Sequence, residues 1–125
     1  KGKNAVPLNQ VADEGFISLL GSKQFRYICD RFCRQGGITP HIIFESDSPT
    51  AVKNMIGANL GIGFWPEFTW GHINNDNVKL LEISNPKCSR DIVVSCNRQS
   101  LDNENVKDFY LFLQHYFDRL KRQSN

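Results

Sequence analysis

Two short apolar runs with a single short helix between them decide much of what this chain can become. Pro40-His41-Ile42-Ile43-Phe44-Glu45 and Leu60-Gly61-Ile62-Gly63-Phe64-Trp65 both read as strands, the second stopped by Pro66. Between them Ser48 stands as a helix cap and Pro49 as the first helical residue. The helix runs to about Ala58, and Asn59 can close it in the left-handed conformation. Strands joined through one helix are parallel, with a right-handed crossover. A sheet built this way needs helices on its faces, which points to the α/β class.

The remaining segments extend the same pattern. Val6-Pro7-Leu8 is extended, because Pro7 pushes Val6 out of the helical region, and Asn9 is placed to cap one turn through Asp13. Phe16-Ile17-Ser18-Leu19-Leu20, between Gly15 and Gly21, reads as a buried strand. Ser22 follows as a cap for a helix from Lys23 to Gln35, whose Phe25, Ile28, Cys29 and Phe32 repeat at helical spacing. Gly36-Gly37 ends that helix. Glu67 to Trp70 reads as one helical turn, and Gly71 to Asn77 as a polar loop. Val78–Ile83 and Asp91–Cys96 read as two further strands. Asn103 caps a last helix through about Arg119, with Val106, Phe109, Tyr110, Leu113, Phe117 and Leu120 as its apolar positions. The order β-α-β-α-β-β-β-α gives a largely parallel sheet flanked by helices.

Composition narrows the functions. The 125 residues suffice for one core. Fifteen Lys+Arg against thirteen Asp+Glu leave a charge of +2, too slight an excess to argue for nucleic acid. No apolar run reaches the roughly 18 residues of a membrane span. Lys1-Gly2-Lys3-Asn4 has no apolar region behind it, so no signal peptide is expected, and a chain opening on Lys reads as a fragment or processed product. Cys29 and Cys33 sit four apart on one face of a helix, whereas zinc-knuckle pairs use shorter spacings in turns, and with Cys88 and Cys96 they read as reduced, partly buried thiols. No metal and no cofactor are expected.

A catalytic set is hard to assemble, and none is expected. His41, His72 and His115 have no nucleophile-elbow partner. The glycines of Gly57–Gly63 enter a strand, whereas a phosphate loop leaves one and opens a helix. The segment that invites a ligand is Glu45-Ser46-Asp47-Ser48-Pro49-Thr50. It follows the carboxyl end of a strand and opens a helix, where open α/β sheets bind small molecules and backbone N–H groups can hold an anion. Ser46, Ser48 and Thr50 add hydroxyls. Helix capping alone is the competing reading of these residues. Phe64, Trp65, Phe68 and Trp70 form an aromatic cluster that serves either packing or a cleft wall. Tyr27 and Arg31, on the helix from Lys23, mark either a solvated face or a dimer contact.

The run Met55-Ile56-Gly57-Ala58-Asn59-Leu60-Gly61-Ile62-Gly63-Phe64-Trp65-Pro66 resembles the effector-binding domain of LysR-type transcriptional regulators. That family carries a helix ending in Val-Ala-Ala-Gly-Leu-Gly-Ile, then a strand ending in Pro. Val6 to Ile17, Phe25 to Gly37, Pro40 to Glu45, Arg90 to Val94 and the closing helix are similar to successive pieces of the same family. Asn59 departs from the family's usual Gly, Gly57 from Ala, and Trp65 from an aliphatic residue.

The resemblance implies a lobe of periplasmic-binding-protein-like (type 2) fold. Residues 5–85 would form the second lobe, and residues 86–125 a returning strand and helix belonging to the first. It gives a cleft role to Glu45, Ser46, Asp47 and Thr50, and to Phe16 and Ile17. It gives an interface role to the outer face of Ser22–Gln35, hence to Tyr27, Arg31 and Arg34. The implied protein is a cytoplasmic, non-enzymatic homo-oligomer that senses a small anionic effector and does not act at a membrane. It would reach DNA only through a helix-turn-helix lying N-terminal to this chain. A fragment of a transporter solute-binding protein is the alternative, and a small α/β enzyme a third reading. With half of the first lobe missing, Phe109, Leu113 and Phe117 are expected to lie exposed or against another chain.

Overall fold

The computed structural model describes residues 4–21 and 23–123, so the expected cap Ser22 lies outside the described residues. The chain divides into two units, residues 1–89 and 90–125.

The first unit is organised around one buried strand. It opens with β1 (Ala5–Pro7) and a 3₁₀ turn over Leu8–Val11. Pro7, not Asn9, occupies the cap position of that turn, and no side chain caps it. Strand β2 (Gly15–Leu19) follows, then helix α1 (Gln24–Gln35), strand β3 (His41–Ser46) and helix α2 (Pro49–Gly57). A four-residue helix, α3 (Glu67–Trp70), and strand β4 (Glu82–Asn85) complete the unit.

Strand β2 pairs with β3 in parallel, with Phe16 opposite Ile42 and Leu19 opposite Ser46. The strand expected over Leu60–Trp65 is reduced to one parallel bridge, Phe16 to Ile62. It lies beside β2, not beside β3. Ile17 N–H donates to Ile62 O at 2.7 Å, and Ile62 N–H donates to Gly15 O at 2.9 Å. The approach is close because two residues there lack side chains. A Cβ on Gly61 would stand 2.5 Å from Gly15 O, and one on Gly63 2.8 Å from Ile17 O. Strand β1 pairs separately with β4, also in parallel.

With neighbours on both edges, β2 sends alternate side chains to opposite faces. Phe16 joins Leu8, Phe32, Cys33 and Ile38 in one cluster on the α1 side. Ile17 and Leu19 join Val52 and Ile56 of α2 in a second. Ile17, Val52 and Cys33 are the largest fully buried side chains.

Both long helices of this unit close in the same way. After α1, Gly37 is left-handed (φ 72°), Ile38 N–H reaches Cys33 O, and Gly37 N–H reaches Arg34 O. After α2, Asn59 is left-handed (φ 59°), Leu60 N–H reaches Met55 O, and Asn59 N–H reaches Ile56 O. These are two Schellman closures, one using Gly and the other Asn.

Two strand expectations are corrected. Val78 to Leu81 takes no strand pairing, and β4 starts only at Glu82, because its partner β1 is three residues long. Asp91–Cys96 forms no strand; no described strand pairs with it, and Ile92, Val93 and Val94 stay exposed.

The second unit holds a 3₁₀ turn over Arg98–Asp102 and helix α4 (Glu104–Gln123). Asn103 caps α4 as expected, its Oδ1 accepting from Asn105 N–H at 3.0 Å. No residue of α4 is buried. Phe109 is exposed as expected, whereas Leu113 and Phe117 are half-buried. The exposed aromatic stripe is Phe109, Phe112 and Tyr116, at helical spacing with ring centroids 6.4 Å apart. No described helix is long and apolar enough to cross a membrane.

Candidate functional site

The carboxyl ends of β2 and β3 lie side by side, and the turn Glu45–Thr50 leaves from there. Local hydrogen bonding shapes it. Ser46 Oγ accepts from Ser48 N–H at 3.1 Å, and Ser48 Oγ accepts from Ala51 N–H at 3.3 Å, capping α2. Ser46 O takes Leu20 N–H at 3.0 Å, which ties the turn to the end of β2. The Ser46 and Ser48 hydroxyls thus serve the backbone as acceptors. Pro49 has no N–H, and the N–H of Thr50 lies in the first helical turn, where no ladder carbonyl exists for it. Asp47 and Thr50 are exposed.

Glu45 is anchored from another element. Arg26 on α1 donates through Nη1 to Glu45 Oε2 at 2.8 Å and to Leu19 O at 3.2 Å, and through Nε to Asp30 Oδ1 at 2.8 Å. Burial works against the charge on Arg26. The hydrogen bonds and charges of Asp30 and Glu45 outweigh it, so its pKa lies above the usual arginine value. Sequence reading missed Arg26 as the clamp on this turn; its i,i+4 spacing to Asp30 was the available signal.

The structure therefore brings Glu45, Ser46, Asp47, Ser48 and Thr50 together in one turn. It does not bring Phe16 and Ile17 to them as surface groups. Those two side chains are 3% and 2% exposed and sit in the two cores, and the residues of β2 nearest the turn are Ser18 and Leu19. On α1, Tyr27, Arg31 and Arg34 are all exposed, with the Arg31 guanidinium 5.6 Å from the Phe32 ring centre.

The aromatic cluster splits. Phe64 packs with Phe16 and Phe32 in the α1-side core. Phe68 is exposed. Trp65 and Trp70 meet edge to face at 5.2 Å, and Trp65 Nε1–H donates to Gly71 O at 2.8 Å. Together with Lys53 of α2 and the loop around Asn75, these indoles wall an open groove of about 540 Å³. Thr50 and Gly57, near the two ends of α2, are among its lining residues. Lys53 and the loop asparagines carried no sequence signal of a site.

Catalytic chemistry finds little to use. His41 and His115 are exposed, and His72 faces Glu67 at 3.6 Å on the surface. Burial pushes the Cys29 thiol up to about 12, with Cys33 and Asp30 adding to the effect. Burial likewise pushes Cys33 up to about 11 and raises Cys88. Such thiols are weak nucleophiles at neutral pH. All four cysteines are free, and among the described residues no group of three His, Cys, Asp or Glu is placed to hold a metal.

Parallel strands with helices on both faces place this polar helix-opening turn where open α/β sheets bind small molecules. Comparison with known proteins gives the family. The model of the LysR substrate binding domain matches residues 1–118, and the chain belongs to that family. Relatives from Bacillus subtilis (strain 168) include the uncharacterised HTH-type transcriptional regulator YybE, 27% identical over 93 residues, covering 74% of this chain and 31% of the relative. The transcriptional dual regulator GltC is 27% identical over 92 residues, covering 72% of this chain and 30% of its own length. This chain thus spans about a third of the curated relatives it matches. Among solved structures, the effector binding domain of QuiR in complex with shikimate shares the fold. Its TM-score is 0.54 at 23% identity, covering 67% of this chain and 39% of that one.

Proposed function

We propose that this chain is the effector-sensing part of a transcriptional regulator and that it catalyses no reaction. Residues 5–85 act as one lobe of the sensor and residues 86–125 as the return toward the other. The ligand is a small anionic metabolite, held at the turn Glu45–Thr50. Binding favours one arrangement of the regulator over another, and its effect is a population shift. DNA contact belongs to residues outside these 125, and the protein works in the cytoplasm as a homo-oligomer that uses the Tyr27, Arg31 and Arg34 face of α1. The transporter-fragment reading is not favoured, because the relatives are transcriptional regulators.

One observation carries the proposal: an exposed helix-opening turn, with the N–H of Thr50 in the first turn of α2, sits where two parallel strands end in a chain of this family. The shikimate bound by QuiR is a ring carboxylate, which agrees with an anionic ligand.

A thermal-shift screen of small carboxylates, shikimate included, tests it. A true effector raises Tm with concentration by mass action. Asp47→Asn removes a like charge beside the anion and strengthens the effect, whereas Thr50→Glu adds one and weakens it. An effector whose binding ignores both changes would place its site elsewhere and refute the assignment.

A further inference from the structure

We propose that the groove between α2 and the loop 71–78 is a second ligand site, built for a small planar carboxylate. It lies wholly within residues 50–78 of the first unit, and of the turn Glu45–Thr50 it shares only Thr50.

Charge gives the sign of the ligand. Lys53 lines the groove, and among the described residues no Asp or Glu does. Its ammonium stands 5.9 Å from the Trp65 ring centre and 5.7 Å from that of Trp70. Both distances lie within the outer reach of a cation–π contact, so the indoles fix where the charge sits. An ammonium carries three donors, which leaves it able to bond a carboxylate oxygen as well.

The walls give the shape. Trp65 is held by its bond to Gly71 O, and the edge-to-face contact with Trp70 turns one ring against the other. Asn75 fixes the part of the wall that the loop supplies. Its Nδ2 donates to Gly57 O at 3.1 Å, closing the loop onto the end of α2, and its Oδ1 accepts from Asn77 N–H at 2.9 Å. Two indole surfaces beside a positioned cation suit a flat apolar body bearing one negative group. The volume, about 540 Å³, is that of a small-molecule site.

The chain contains two tryptophans, and both line this groove, so intrinsic fluorescence reads it directly. The test is a fluorescence titration of the 125-residue chain with benzoate, and with benzamide as the neutral isostere. Benzoate should give a saturable change, and benzamide should bind more weakly by about tenfold or more. Lys53→Met should weaken benzoate by a similar factor, and Lys53→Arg should retain it. Lys107→Met, which removes a cation on α4 outside the groove, should leave it within about twofold. A linear, collisional response, equal affinity for the two probes, or an unaffected Lys53→Met would overturn the proposal. A large effect of Asp47→Asn would also overturn it, by placing benzoate at the turn instead, and would leave the effector reading standing. Circular dichroism of each variant separates lost binding from lost fold.

Discussion

Gly61 and Gly63 let a third extended segment lie against β2 so closely that backbone, not side chain, fills the gap. Gly61→Ala puts a methyl 2.5 Å from Gly15 O and 2.9 Å from Ile43 Cδ1. Backbone cannot yield as a flexible side chain does, so the variant should lose about 2 kcal/mol or more, read as a lower urea midpoint with unchanged m. The thiols make a second residue-scale prediction. Cys29 and Cys33 have folded pKa values raised to about 12 and about 11, above the unfolded value. The unfolded chain therefore ionises first as pH rises. Stability is full below the unfolded pKa and falls by about 1.4 kcal/mol per pH unit for each thiol between the unfolded and folded values. Urea unfolding near pH 7 and about pH 10 should differ accordingly, and Cys33→Ala should flatten the slope. Exposed Cys96 should take a thiol reagent before either.

Elements differed in how far the sequence revealed them, and the reason is local against non-local bonding. Helix ends are built from neighbours: Ser48, Gly37, Asn59 and Asn103 were readable because their partners lie within five residues. A strand needs a partner that its own residues do not name. Phe16–Leu19 and Ile42–Glu45 found one, while Val78–Leu81 and Asp91–Cys96 carry the same apolar composition and did not. The site divided along the same line. The turn Glu45–Thr50 is contiguous and was legible; Arg26 and the Lys53 groove, assembled from separate elements, were not. The closure of α2 gives the element-scale prediction. Asn59→Ala places an alanine at φ 59° and should cost about 1 kcal/mol, whereas Asn59→Gly should cost nothing; denaturant unfolding of the two variants decides it.

For the whole molecule, the two units carry different burdens. The first has both hydrophobic clusters, the turn and the groove. The second has a capped helix with an exposed aromatic stripe and no buried residue on it. The features proposed for ligand recognition therefore lie within the first unit, and the first turn of α2 is where an anion should be felt. Backbone amide NMR during titration with a carboxylate that stabilises the protein observes that place directly. Saturable shifts should be largest at Asp47, Ser48 and Thr50, with the amides of α1 little changed. Shifts concentrated on α1, with that turn silent, would contradict the proposed site.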